Sequence, residues 1–429
     1  MKNFLLPIFA AASIGLGAQT WTQQNTGFPQ PSTGANPVRI VDANTVWALG
    51  YDGSATAANF QTFSKTVNGG VSWTPGSINV GNPTYLVSDL TAVSGTTAWV
   101  TATPTAGGAG GGVWKTTDGG TTWTKQTTAS YNLAASFVNV VHFWDANNGV
   151  TMGDPTGTLM EIYVTSNGGT NWTKLTNSSV PPTQSGEYGY VHNRAVAGDN
   201  IWAGTNKGRI FKSADKGLTW TVVSTPITDF GGTASSGTIA LKDATTGWIL
   251  DNNGVVRGTT NGGTSWTTLA TIPQSNGIVY VPGTANTLVA VGNGDGSNIS
   301  YNGGSTWTPI ENTNAFVSVA ALNSTAIWGG GFSATPTSGG IYKLAGILAV
   351  NDVKPNEGQI AVYPNPATDV LNIRYKGKLS GVSVYDLSGK RMVINTDINS
   401  VDVSSLQAGV YMLVVETDNG KFSEKIIKK

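Results

Sequence analysis

The octet Thr116-Thr117-Asp118-Gly119-Gly120-Thr121-Thr122-Trp123 decides the fold, because close copies of it recur along the chain. Each copy has the form Ser/Thr-x-Asp/Asn-x-Gly-x-x-Trp, and successive closing tryptophans lie 41 to 50 residues apart. A repeat of this length is typical of propellers and solenoids, in which one supersecondary unit is used several times. The other copies are Thr66–Trp73, Thr165–Trp172, Ser213–Trp220, Thr259–Trp266 and Ser300–Trp307.

The octets are interpreted as structural turns rather than as sites of chemistry. Their third position is Asn or Asp, and a metal site or an acid catalyst would not tolerate that exchange. A short Asx side chain instead bonds nearby backbone amides and fixes a turn, while glycine permits positive φ. The tryptophan ring is expected to pack between neighbouring sheets. The structural residues predicted in this way are Asn68, Trp73, Asp118, Trp123, Asn167, Trp172, Asp215, Trp220, Asn261, Trp266, Asn302 and Trp307.

Two further signals recur between the octets: a β-rich run just before each octet and an apolar run in the middle of each repeat. Several short strands per repeat, separated by turn residues, are typical of a four-stranded propeller blade. The middle runs are centred on Trp47, Trp99, Val150, Trp202, Trp248, Val289 and Trp328, which is one more than the number of octets.

The extra repeat predicts a closed ring. The run Gly340–Leu344 has no octet after it, and Trp21–Gln24 matches the segment that follows each octet. We therefore expect the N-terminal strand to complete the last blade, which removes free sheet edges. The predicted fold is all-β: a seven-bladed β-propeller closed by the N-terminal strand, followed by a small Ig-like β-sandwich.

The octet pattern resembles the Asp-box (BNR-type) repeat of sialidases, sortilin-type receptors and photosystem II assembly factors. The blades most resemble those of the photosystem II assembly factors. The resemblance implies a propeller whose octet turns lie on the face away from the binding site.

The composition excludes several classes of function. Lysine plus arginine equals aspartate plus glutamate at 24 each, so the chain lacks the basic surface that nucleic-acid binding requires. Cysteine is absent, which excludes disulfides, thiolate metal sites and a cysteine nucleophile. No phosphate-binding loop is present, and two histidines in separate repeats are a weak metal signal. We expect no cofactor, no metal and no transmembrane segment.

The two ends of the chain indicate export. Residues 1–18 combine Lys2, the apolar run Phe4–Leu16 and a small residue at Ala18, which predicts a signal peptide. The propeller is assigned to residues 19–345, a linker to 346–359 and a second domain to 360–429.

The second domain resembles the C-terminal sorting domain of type IX secretion. The motif residues are Tyr363, Pro364, Asn365, Pro366, Gly389 and Gly409. The resemblance implies a Bacteroidetes-type bacterium, the type IX secretion machinery as a partner, and a secreted or outer-surface location.

Most of the candidate binding residues fall in two registers of the repeats that lie two positions apart. Eight or ten positions before the middle-strand residue, the first four repeats carry Arg39, Asp89, His142, His192 and Arg194. Both registers lie on the same side of the innermost strand. The loop before the fourth blade adds Glu187, Tyr188 and Tyr190. We predict a pocket at the channel mouth beside blades 1 to 4. The alternative is a set of isolated polar residues bound to channel water.

The sequence favours a non-catalytic binding or scaffold module whose ligand is a glycan or a protein. Two alternatives stay open: a surface adhesin and a secreted glycoside hydrolase, for which Asp89, Asp154 and Glu187 are conceivable acids. A sialidase is disfavoured because it needs three arginines around the substrate carboxylate. Arg209 and Arg257 are predicted to lie away from the mouth.

Overall fold

The computed structural model describes residues 19–54, 58–105, 108–233, 236–347, 360–375, 378–386, 390–392, 396–397, 399–417 and 420–429. These residues form two compact units, one up to residue 347 and one from residue 360. The described residues contain strands and turns but no helix, so the all-β prediction is confirmed. These residues therefore include no helix that could span a membrane. The predicted signal peptide, most of the predicted linker and Gly389 lie outside the described residues.

The first unit contains five four-stranded antiparallel sheets whose strands follow one another in chain order. Their strands are β6 (Tyr85–Ala92), β7 (Ala98–Pro104), β8 (Gly111–Thr116) and β9 (Thr124–Tyr131); β10 (Val138–Phe143), β11 (Gly149–Gly153), β12 (Glu161–Thr165) and β13 (Thr173–Lys174); β14 (Gly189–Ala197), β15 (Asn200–Thr205), β16 (Arg209–Ser213) and β17 (Thr221–Ser224); β18 (Gly237–Leu241), β19 (Gly247–Asp251), β20 (Val255–Thr259) and β21 (Thr267–Thr271); and β22 (Gly277–Tyr280), β23 (Leu288–Val291), β24 (Ser297–Ser300) and β25 (Thr308–Glu311).

The remaining strands of this unit form one eight-stranded sheet that joins the two ends of the unit. Strand β1 pairs with β28 and sets Trp21 opposite Leu344, which is the pairing that the sequence predicts. Strands β27 and β2 meet at a single residue pair, Gly34 and Phe332. The strands are β1 (Trp21–Asn25), β2 (Thr33–Ile40), β3 (Val46–Asp52), β4 (Thr62–Thr66), β5 (Thr74–Ser77), β26 (Ser318–Asn323), β27 (Ala326–Thr335) and β28 (Ser338–Leu344).

Each octet forms the same hydrogen-bonded turn. In the copy that follows β8, the Gly120 N–H donates to Thr116 Oγ1 (2.8 Å), and that hydroxyl donates to Asp118 Oδ1 (2.8 Å). Asp118 Oδ1 also accepts the Thr122 N–H (3.0 Å). The same three bonds recur in the five other octets. Since Asn and Asp share the Oδ1 acceptor, both residues fit this position.

The closing tryptophan of an octet packs against the preceding sheet. Trp123 contacts Phe63 of β4 edge to face, with ring centroids 6.1 Å apart, and both belong to one buried cluster. Trp266 contacts Trp202 of β15 in the same way (6.4 Å). Aromatic rings bury a large apolar area and pack well in such tilted arrangements. The octets therefore stabilise the contacts between successive sheets.

A lysine adds a polar link between sheets in four places. Lys65 of β4 lies over the ring of Trp47, 4.8 Å from its centroid, and its Nζ donates to the carbonyl of Gly119 in the next octet (2.8 Å). Lys115, Lys212 and Lys343 make the equivalent contacts to Gly168, Gly262 and Gly69. The bond from Lys343 to Gly69 joins β28, the last strand of this unit, to the first octet.

The second unit consists of two four-stranded sheets around one core. Leu371 and Val401 of one sheet and Val384 and Leu413 of the other are buried in a single cluster. The first sheet has the order β29 (Ile360–Tyr363), β30 (Val370–Tyr375), β34 (Ser400–Asp402), β33 (Thr396–Asp397), and the second has the order β32 (Arg391–Met392), β31 (Leu379–Tyr385), β35 (Gly409–Thr417), β36 (Gly420–Lys428).

The Tyr-Pro-Asn-Pro motif is bonded to the last strand of this unit. Asn365 donates from Nδ2 to the Lys425 carbonyl (2.8 Å) and accepts the Ile427 N–H at Oδ1 (3.0 Å). These two bonds hold the first residues of this unit against β36.

Candidate ligand-binding site

Three of the predicted residues form one ion cluster. Asp89 on β6 is fully buried, and its two carboxylate oxygens pair with different arginines. Arg39 on β2 donates from Nη2 to Asp89 Oδ1 (2.8 Å), and Arg194 on β14 donates from Nε to Asp89 Oδ2 (3.0 Å). Residues from three separate sheets therefore meet at one carboxylate.

Backbone groups fix the same cluster in place. The Arg39 Nε–H donates to the Leu90 carbonyl (2.9 Å), and Arg194 Nη2 donates to the Val141 carbonyl (2.8 Å). The Val141 N–H donates to Asp89 Oδ2 (3.1 Å). Burial raises the pKa of Asp89, but the charges of Arg194 and Arg39 more than offset it, so the pKa lies below its usual value of 3.8. The carboxylate is ionised at neutral pH.

Both histidines lie beside this cluster and are neutral at pH 7. Burial is the largest cause that lowers the pKa of His192, to about 4, although the charge of Asp89 acts in the opposite direction. Burial and the charges of Arg194 and Arg39 lower the pKa of His142 well below 6.5. His192 Nε2 lies 3.2 Å from the side-chain nitrogen of Asn36, whereas the buried His142 Nδ1 has no hydrogen-bond partner among the described residues.

Irregular pairing in the innermost strands positions these residues. The register shifts between Val87 and Asp89 on β6, between Ala35 and Val38 on β2, and between Gly189 and Arg194 on β14. Strand β10 shifts as well, whereas β18 and β22 pair with their neighbours in continuous register. A bulge redirects side chains and is common next to binding sites. The polar cluster lies on the strands that carry bulges.

Two cavities lie along the innermost strands, one on each side of the arginines. The mouth cavity, about 470 Å³, is lined by the first halves of β2, β14, β18, β22 and β26. The distal cavity, about 460 Å³, is lined by the second halves of the same strands. Arg39 and Arg194 border both cavities. The mouth cavity has the size of a small-ligand pocket.

The predicted residues divide into three groups by position. Arg39, Tyr190, His192 and Arg194 line the mouth cavity, and Asp89 is buried behind the two arginines. His142, Glu187 and Tyr188 do not line it.

Glu187 and the two tyrosines make other contacts. Glu187 is buried and pairs with Arg209, and it accepts a bond from the Thr205 hydroxyl (2.7 Å). Tyr190 donates from its hydroxyl to Asp229 Oδ1 (2.6 Å), and the ring of exposed Tyr188 lies 5.5 Å from the Tyr190 ring.

The cavity also contains residues that sequence reasoning did not select. They lie on or next to the innermost strands β2, β14, β18, β22 and β26 or, for one of them, on β3: Asn36, Tyr51, Asn193, Thr238, Asn276 and Ser318. Thr238 and Ser318 occupy the register ten positions before the middle-strand tryptophan, so that register contained a signal for them. Asn36 and Asn193 lie in bulges, Asn276 precedes β22 and Tyr51 lies on β3, where these registers do not extend.

One further carboxyl group has an unusual environment. Asp154 follows β11, accepts a bond from Asn139 Nδ2 (2.6 Å) and accepts the Gly189 N–H (3.0 Å). Burial raises the pKa of Asp154 to about 6 despite these bonds. This carboxyl group is therefore half-protonated at about pH 6.

Comparison with known proteins identifies the second unit. Residues 361–429 match the family described as the secretion system C-terminal sorting domain. A tail of this family directs export by type IX secretion, so the chain is destined for secretion and surface attachment. No curated protein matches the chain.

The first unit is similar to solved β-propellers. YCF48 from Cyanidioschyzon merolae matches with a TM-score of 0.53 and 18% identity, over 75% of this chain and 98% of that chain. A structure of YCF48 bound to D1 peptide matches with a TM-score of 0.52 and 14% identity, over 77% of this chain and 98% of that chain. At these identities the likeness establishes the propeller fold alone.

Proposed function

We propose that the chain is a seven-bladed propeller that binds a ligand or scaffolds partners outside the cell without catalysis. The propeller corresponds to residues 19–345, and an Ig-like sorting sandwich of residues 360–429 follows the linker. The blade count is supported by the contacts of the inner strands, each of which touches the next, with β26 touching β2. The single pair between β27 and β2 divides the eight-stranded sheet into a first and a last blade.

The observation that carries the binding role is the shared carboxylate at the mouth cavity. Asp89 accepts bonds from two arginines and a backbone amide, and its pKa is lowered. A general acid that works near neutral pH needs a raised pKa instead. The cluster is therefore suited to hold two guanidinium groups in fixed positions at the cavity wall, which favours recognition over proton transfer.

A glycoside hydrolase is the second candidate, because the environment of Asp154 is that of a possible general acid. Its pKa of about 6 lies near the operating pH of many such acids. On that alternative, Asp154→Asn abolishes hydrolysis. On the binding proposal, the variant is as inactive as the wild type because there is no turnover to lose.

A glycan array probed with the purified protein, paired with a hydrolysis assay on the same sugars, tests the proposal. Binding without turnover supports the binding module. Turnover that disappears in Asp154→Asn supports the hydrolase and overturns the proposal. Silence in both assays would contradict glycan binding and direct the search to protein partners.

A further inference from the structure

The mouth cavity contains more positive charge than the protein neutralises. Two guanidinium groups, Arg39 and Arg194, share the single carboxylate of Asp89. The two histidines are neutral at pH 7, and none of the described aspartates and glutamates lines the mouth cavity. The wall of the cavity therefore has one uncompensated positive charge.

Part of each guanidinium group has no partner among the described residues, with the side chain of Arg194 4% exposed and that of Arg39 21% exposed. Among the described residues, Nε and Nη2 of both arginines have hydrogen-bond partners, but Nη1 of Arg39 and of Arg194 has none. The side chain of Arg39 is 21% exposed and borders both cavities. Fixed guanidinium N–H groups are preferred partners of carboxylates.

The repulsion between the two arginines favours an anion at the same place. Burial and the charge of Arg39 lower the pKa of Arg194 to about 10, although Asp89 lies between them. Arg194 is still protonated at neutral pH. A second negative group beside the pair would balance the positive charge that the single carboxylate of Asp89 does not neutralise.

The rest of the cavity wall suits a hydroxylated ligand body. Beside apolar side chains such as Val38 and Ile239, the wall contains amides and hydroxyls, which donate as well as accept hydrogen bonds and so match sugar hydroxyls. Thr238 Oγ1 has no hydrogen-bond partner among the described residues. The rings of Tyr51 and Tyr190 border the same cavity and offer apolar surface to C–H groups.

We propose that the mouth cavity binds a carboxylated sugar of the uronic-acid type, with its carboxylate on Arg39 and Arg194. This inference rests on the proposed binding function and specifies its ligand class. Asp89 acts as a positioning residue that holds both guanidinium groups, and the amide and hydroxyl side chains contact the sugar ring.

Titration calorimetry of the purified full chain with three probes tests the ligand class. Glucuronate has the carboxylate and the hydroxylated ring, glucose has the ring alone, and acetate has the carboxylate alone. We expect binding of glucuronate at least about tenfold tighter than of either other probe, because charged hydrogen bonds and ring contacts add. Equal binding of glucose or acetate overturns the proposal, and so does the absence of glucuronate binding at millimolar concentrations.

A pair of arginine variants tests the location. Arg39→Gln should weaken glucuronate binding about tenfold or more. Arg257→Gln is the matched control, since Arg257 on β20 is also ion-paired, to Asp251 at 2.7 Å, and does not line the mouth cavity. Unchanged affinity in Arg39→Gln, or equal losses in both variants, overturns the assignment.

The two proposals fail in different ways. A glycan array that retains neutral sugars while glucuronate stays unbound overturns the carboxylated-sugar assignment but leaves the binding function standing. The comparison of three probes uses the wild-type protein, so it decides the ligand class even if Arg39→Gln does not fold.

Discussion

At the scale of single residues, the Asp/Asn position makes through Oδ1 the bonds that all six octets share, while its second terminal atom bonds a nearby hydroxyl in five of them. Oδ1 of Asp118 accepts two of the three bonds of its turn, and the Asn residues of four other octets use the same atom. We expect Asp118→Asn to leave the melting temperature nearly unchanged and Asp118→Ala to lower it, because only alanine removes the acceptor. Thermal denaturation followed by circular dichroism measures both. A larger loss for the Asn variant than for the Ala variant contradicts this account.

The two neutral histidines predict a loss of stability in mild acid. The pKa of His192 falls from 6.5 to about 4 on folding. Below pH 6.5 the unfolded chain takes up a proton at this residue that the folded chain does not, so the contribution of His192 to stability falls as the pH drops from about 6.5 to about 4. The shift corresponds to roughly 3 kcal/mol. The pKa of Asp89 is lowered from 3.8, so its stabilising contribution is lost only at lower pH.

His192→Asn tests this prediction, since φ is +46° at this position and asparagine tolerates positive φ. We expect urea denaturation at pH 7 and at pH 5 to give a smaller difference in unfolding free energy for the variant than for the wild type. Combining it with His142→Asn should flatten the dependence further, because the chain has two histidines in total. If the unfolding free energy changed with pH by the same amount in the wild type and in the double variant, the role of the histidines would be refuted.

The sequence predicts which strands carry the polar cluster better than it predicts the contacts within it. Arg39 and Arg194 share one register and Asp89 lies in the register two positions earlier, and the structure joins the three in one ion cluster. Glu187 was predicted at the mouth and instead pairs with Arg209, because a loop has no register that sequence spacing can follow. Periodicity locates residues on strands, while ion pairing between sheets depends on bulges and loop packing.

At the scale of elements, a lysine near the end of a strand links that strand to an octet that follows a different sheet. Lys343 of β28 donates to the carbonyl of Gly69 (2.8 Å) and lies 5.1 Å from the centroid of the Trp328 ring. Lys343→Met keeps the length of the side chain and removes the charge, so we expect a loss of about 1–2 kcal/mol in the free energy of unfolding.

Lys207 provides the control for this substitution, because its side chain is exposed. We expect Lys207→Met to unfold at the same denaturant concentration as the wild type, while Lys343→Met unfolds earlier. Equal midpoints for the two variants would show that the link from β28 to the first octet contributes nothing.

At the scale of the whole molecule, the repeat count predicts most of the architecture. Counting middle runs against octets predicts that Trp21 pairs next to Leu344, and the structure contains this pair. Repeats reveal a fold because most repeats share the octet turn, a buried apolar residue in the middle strand and the same strand order. The bulges on β2, β6, β10 and β14 break that equivalence, so the ion cluster of Arg39, Asp89 and Arg194 lies where the repeat ceases to predict the backbone.

The two units predict a separation of folding from export. The first unit has its own buried clusters, and the second unit has one of its own, so deletion of residues 360–429 should leave the first unit folded. The deletion removes the sorting domain that matches residues 361–429.

In a host with type IX secretion, we expect the full chain outside the outer membrane and the truncated chain in the periplasm, as shown by cell fractionation and immunoblotting. Arg257→Gln in the full chain is the control and should be exported like the wild type. Folded truncated chain at the cell surface would show that export does not depend on this domain.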